Sequence, residues 1–110
     1  MTSLVLGKAD SGQTVRLRVG DGLTIELPET PSTGYGWSLT ERDEALAVVS
    51  SEFLLPAQAP NVVGQGGVRR LVFRAGAAAA KARLEIVYMR PWEGAAAAAD
   101  RFSVQVQIEP

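Results

Sequence analysis

Apolar and polar side chains alternate one for one over three stretches of this chain, and no other feature narrows the possible folds so far. Val15, Leu17 and Val19 alternate with Arg16 and Arg18. Leu23, Ile25 and Leu27 alternate with Thr24 and Glu26, and Phe102, Val104, Val106 and Ile108 with Ser103, Gln105, Gln107 and Glu109. Successive side chains of an extended strand point to opposite faces, so this period predicts strands with one face buried and one wet. Leu71 and Phe73, then Leu84, Ile86 and Tyr88, continue it. Between the runs lie turn-forming clusters: Asp10-Ser11-Gly12, Gly20-Asp21-Gly22, Pro28 to Gly36, Pro56 to Gly67 and Ala75-Gly76. Several short strands parted by glycine and proline point to an all-β sandwich or barrel. Two packed antiparallel sheets are expected, with Val15, Leu17, Ile25, Phe73, Ile86, Val104 and Val106 inside.

Other stretches are less regular. Val48 to Leu55 is strand-like but interrupted by Ser50 and Ser51, and Asp43 to Val48 suggests a single helical turn before it. The alanine runs 77–80 and 95–99 are too short to hold a helix alone and read as loops. With 110 residues, no repeat and no linker, the chain reads as one domain over residues 1–110.

Composition removes much chemistry. There is no cysteine and no histidine, so Ser–His and Cys–His nucleophile systems are ruled out and a zinc site lacks its usual ligands. Gly64-Gln65-Gly66-Gly67 is not followed by the Lys-Ser/Thr of a phosphate loop. Asp43 and Glu44 are neighbouring acids in a polar stretch, where solvation is the ordinary reading. No enzyme activity, cofactor or metal is expected. Eleven basic and twelve acidic residues give a formal charge of -1, which argues against a nucleic-acid partner. Arg16, Arg18, Arg69 and Arg70 read as solvated strand faces. No apolar run is long enough for a membrane span or a secretory leader. A cytoplasmic location is the expectation, or a periplasmic or secreted one if a leader has been removed.

Three loops have unusual composition. Thr30-Pro31-Ser32-Thr33-Gly34-Tyr35 combines a fixed backbone angle at proline with a permissive one at glycine. It therefore suits a defined shape with a narrow tip at Ser32 and Thr33. Trp37 follows in strand phase with Leu39 and is expected in the core. The second loop, Pro56 to Gly67, is longer than most structureless connections, which are usually functional or disordered at that length. In the third, Pro91 ends a strand and leaves Trp92 in a connection beside Arg90. Tryptophan and arginine are enriched at binding hot spots.

Together these loops resemble the chagasin family of cysteine peptidase inhibitors, marked by Asn-Pro-Thr-Thr-Gly-Tyr/Phe, Gly-x-Gly-Gly and Arg-Pro-Trp/Phe loops. Here the motifs read Thr30-Pro31-Ser32-Thr33-Gly34-Tyr35, Gly64-Gln65-Gly66-Gly67 and Arg90-Pro91-Trp92. The resemblance implies an immunoglobulin-like antiparallel β-sandwich with the three loops side by side at one end. It implies that Ser32 and Thr33 enter the cleft of a papain-like cysteine peptidase near the nucleophile. Gly66 and Gly67 would bring backbone close to one rim, and Arg90 and Trp92 would contact the other. A monomer acting reversibly is expected. Two positions depart from the family. Thr30 replaces an asparagine whose amide braces the loop, leaving a weaker hydroxyl to do so, and Ser32 replaces a threonine. The other class of function open to such a sandwich is an adhesion or assembly module with no peptidase partner.

Overall fold

The computed structural model describes residues 3–55, 66–76 and 80–110. Among the described residues eight strands run in chain order: β1 (Ser3–Gly7), β2 (Thr14–Arg18), β3 (Gly22–Glu29), β4 (Gly36–Arg42), β5 (Leu46–Leu54), β6 (Gly67–Ala75), β7 (Ala80–Met89) and β8 (Asp100–Glu109). They form two four-stranded sheets, in the orders β1-β3-β6-β5 and β2-β8-β7-β4. The alternating residues meet between the sheets. Leu23, Ile25, Leu27 and Phe73 from the first pack with Leu84, Ile86, Phe102, Val104 and Val106 from the second. Of the residues expected inside, all are buried except Val15, which is partly buried against the same core. Trp37 is also in the core.

Both edges formed near the start of the chain are parallel: β1 against β3 and β2 against β8. All other pairings among the described residues are antiparallel. A 3-10 turn at Lys8–Asp10 carries the chain from one sheet to the other, and the Asp10 carboxylate secures it by accepting the Gly7 N–H at 2.8 Å. One length of extended chain thus borders both sheets in succession. Alternation reveals which face a residue takes but not which neighbour its strand chooses, so the period alone could not show this.

β5 carries a bulge between Val48 and Ser50. One extra residue reverses the side-chain phase. Leu46 and Val48 lie opposite Ala75 and Phe73, and after the bulge Ser51 and Phe53 lie opposite Leu71 and Arg69. This is the physical meaning of the serine interruption. The helical turn expected over Asp43 to Val48 is instead a tight turn, closed by Leu46 N–H to Asp43 O and capped by the Asp43 carboxylate on Ala45 N–H. Ala95–Ala97 is a single 3-10 turn within a connection.

Register decides where the loops lie. Glu29, the end of β3, is opposite Gly67, the start of β6. Leu54, the end of β5, is opposite Val68. Gly36 is opposite Met89, and Tyr88 opposite Asp100. The β3–β4, β5–β6 and β7–β8 connections therefore all emerge at one end of the sandwich.

Candidate functional site

The β3–β4 connection is built on a 3-10 turn over Pro31–Thr33. Proline opens it with its fixed angle, and Gly34 closes it in the left-handed region with φ 81°. Thr33 and Gly34 N–H donate to Thr30 O and Pro31 O at 3.1 and 3.0 Å. The expected brace from Thr30 is absent, since its side chain makes no capping bond to the turn. Thr33 takes over that part. Its hydroxyl donates to Thr30 O at 2.7 Å and accepts the Tyr35 N–H at 3.2 Å. Thr33, expected near a peptidase nucleophile, is exposed at the apex with its oxygen also engaged within the loop. Ser32, exposed at the same apex, is left to present a hydroxyl outward.

Aromatic packing supports the loop from below. Thr30 N–H donates to Tyr88 Oη at 3.0 Å. Tyr35 stacks on Tyr88 with ring centres 5.4 Å apart, and Trp37 lies 4.9 Å from Tyr88 on centres. The Trp37 indole donates to Pro28 O at 2.7 Å. Tyr88 was not singled out from the sequence as a site residue, because its alternation marks it only as core.

The third loop leans on the first. Arg90 Nε donates to Thr33 O at 3.1 Å, and its guanidinium sits 4.5 Å above the Tyr35 ring centre, a cation–π geometry. The Arg90 side chain therefore ties the two loops together inside this protein. Glu93 and Gly94 N–H both donate to Arg90 O, forming the turn that displays Trp92. Trp92 is 72% exposed, so it is no core plug. Its ring reaches so close to the first loop that a Cβ on Gly34 would lie 2.8 Å from Trp92 Cη2. Gly34 thus serves twice, taking the left-handed backbone angle and leaving room for the indole where it lies.

The second loop closes in from the other side. A Cβ on Gly66 would lie 2.8 Å from Thr30 Oγ1. At Gly67 a Cβ would run into the Leu54 carbonyl oxygen and the Phe53 ring. Gly67→Ala should therefore destabilise the fold by about 1–3 kcal/mol through overpacking, read from urea denaturation. An unchanged midpoint would contradict the contact. Gly64 and Gln65 lie outside the described residues. The structure thus brings Thr30 to Tyr35, Gly66, Gly67 and Arg90 to Trp92 together at one end.

Beneath the loops sits an ion pair that the sequence reading missed. Arg69 and Arg70 were both read as solvated. Arg70 does lie at the surface, paired to Glu26 at 2.9 Å. Arg69 points inward, 25% exposed, and binds Glu29 at 2.9 Å. Glu29 is only 3% exposed and also accepts the Trp37 N–H at 2.9 Å. Strand phase carried the signal, because Glu29 continues Leu23, Ile25 and Leu27, and Arg69 precedes Leu71 and Phe73. Among the described residues no three acids, histidines or cysteines gather as a metal site.

A family model described as chagasin family peptidase inhibitor matches residues 16–106. The chain belongs to that family. It is 30% identical to chagasin of Trypanosoma cruzi over 105 residues, which is 91% of this chain and 93% of chagasin. The fold is shared with a cysteine protease inhibitor of Entamoeba histolytica, with TM-score 0.87 and 20% identity over 98% of this chain and 96% of that one. PbICP-C, solved in complex with falcipain-2, also superposes, with TM-score 0.65 and 20% identity over 99% of this chain and all of its own. The chain is accordingly a chagasin-type inhibitor with a β-sandwich fold, and its three-loop end is the candidate inhibitory surface.

Proposed function

We propose that this chagasin-family protein inhibits papain-like cysteine peptidases reversibly, with the Pro31–Thr33 turn as a wedge in the active-site cleft. The observation that carries this reading is the convergence of the three loops on a narrow apex, Ser32, with Trp92 exposed beside it. The residues proposed to meet the peptidase are Thr30 to Tyr35, Gly64 to Gly67 and Arg90 to Trp92. A protein of the same fold supplies support from outside this chain, since PbICP-C has been solved in complex with falcipain-2.

The mechanism is physical exclusion and involves no bond exchange. A wedge inhibits well when its shape is set before binding, because little ordering entropy remains to be lost. Here the turn's own hydrogen bonds, the Thr33 hydroxyl, the Arg90 clamp and the Tyr35–Tyr88 stack set that shape. The helical turn also keeps the apex backbone out of the extended conformation a substrate adopts, which removes the scissile geometry. A protease–inhibitor contact of this kind buries roughly 1,600 Å² in total. The protein acts as a monomer in this reading, with no nucleic acid or membrane involved.

Titration of papain with the protein tests the proposal directly. Inhibition should be reversible and rise with inhibitor concentration. Ser32→Trp places bulk at the tip and should weaken inhibition about tenfold or more, while Arg18→Trp, at the opposite end of the sandwich, should not. If papain keeps full activity in micromolar parent protein, the peptidase assignment is wrong.

A further inference from the structure

We infer that the buried Glu29–Arg69 ion pair is a positioning device that fixes the wedge loop against the second loop. The inference rests on the inhibitor reading above for its functional consequence, but not for its structural one. Glu29 is the last residue of β3 and stands immediately before the wedge. Its carboxylate accepts the N–H of Trp37, on the opposite stem of the same loop, at 2.9 Å. A single side chain therefore closes the neck of the wedge. The same carboxylate receives Arg69 Nη2 at 2.9 Å and Nε at 3.3 Å. Arg69 stands two residues after Gly67, on the stem of the second loop. Three loop stems are joined through one acid.

Stability alone does not account for a charge at this point. Residue 29 continues the phase of Leu23, Ile25 and Leu27, so an apolar side chain would extend the core there. Replacing a buried ion pair by apolar residues of similar volume is often neutral or stabilising. What apolar contact lacks is direction: it resists separation but permits sliding, whereas charge-assisted hydrogen bonds fix both distance and angle. Arg69 is itself held from a third strand, with Nη1 3.4 Å from Ser51 Oγ and the guanidinium 5.9 Å above the Phe53 ring centre. The β5 bulge is what turns Ser51 and Phe53 toward it. The flank of the wedge also lacks dense packing. An open groove of about 370 Å³ lies there between Pro31, Tyr35, Phe53, Met89 and Pro91, with the ion pair in its wall. Directed bonds at the neck have work that packing on this side does not do.

The test is the double variant Glu29→Gln/Arg69→Met, which removes both charges and leaves an amide oxygen for the Trp37 N–H. Hydrogen exchange of the neck amides, Thr30 and Trp37, should accelerate about tenfold or more, while amides of β8 keep their protection. Inhibition of papain should weaken by a similar factor. Arg69→Lys alone, which keeps the charge but loses the two-pronged contact, should fall between the parent and the double variant in both readouts. Phe73→Leu, a core change at the far end, should lower the melting temperature without moving neck exchange or inhibition. Should the double variant fail to fold, Glu29→Asp retains the charge but shortens the reach, and the same neck loosening is expected. Parent-like exchange at Thr30 and Trp37 in the folded variant overturns the inference, whatever inhibition does. If the parent does not inhibit papain, the functional reading fails separately, and neck exchange still decides this one.

Discussion

Trp92→Ala should weaken inhibition of papain by roughly 30- to 1,000-fold, corresponding to about 2–4 kcal/mol for a tryptophan hot spot. Three features lead to that magnitude. Trp92 is 72% exposed in the free protein, so most of its surface remains to be buried on binding. It is stiff, with only two side-chain torsions to freeze, and it is carried on a turn already closed by two hydrogen bonds to Arg90 O. It also lies against the Gly34 backbone, so it extends the surface of the wedge instead of standing apart from it. The melting temperature should barely move, because substitutions at exposed positions generally change stability by less than about 0.5 kcal/mol. Inhibition constants and thermal melts measured side by side check both halves. A large drop in melting temperature, or inhibition equal to the parent's, would refute the hot-spot assignment.

Arg69→Ala and Arg70→Ala should part company sharply, although the two residues are neighbours of the same type. Removing Arg69 leaves the Glu29 carboxylate inside the protein without its cation. Breaking a buried pair from one side costs about 3–5 kcal/mol. Arg69 retains some solvent contact, which places the expected loss nearer the lower bound, at about 2–4 kcal/mol. Arg70 pairs with Glu26 at the surface, with 42% and 36% of the two side chains exposed. Pairs of that kind contribute about 0–1 kcal/mol. Urea denaturation of the two variants gives the comparison, and equal losses would show that the Glu29–Arg69 pair carries no special weight.

The candidate site was legible in the sequence to different depths. Trp92 was readable as an exposed loop residue, because proline on its N-terminal side ends the strand and removes it from the ladder. Gly34 was readable as a turn residue, but not as the surface on which the indole rests, since that contact joins positions far apart in sequence that meet only through the pairing of β4 with β7. Arg90 was readable as a member of the third loop motif, but not as the clamp whose guanidinium holds Thr33 and covers Tyr35. Motif membership names the residues of a loop without saying what contacts they make inside the protein. Thr33 shows the same limit, because its hydroxyl serves the turn. Glu29 and Arg69 were visible in principle as charges in the buried phase. Each looks like a surface residue when considered alone, and only their mutual approach across β3 and β6 makes inward placement tolerable.

Strand identity, the inward face of each strand and the chagasin-type loop motifs follow from local order along the chain, because side-chain alternation and turn chemistry act between residues close in sequence. Pairing partners are a different kind of fact. The parallel edges at β1 and β2, the β5 bulge that turns Phe53 inward and the burial of an ion pair under the wedge all depend on which segments come to lie side by side. Backbone hydrogen bonding is nearly indifferent to sequence, so that choice is made by the whole core at once. The clustering of three separate loops at one end is therefore a product of register, and register exists only after the sheets have formed.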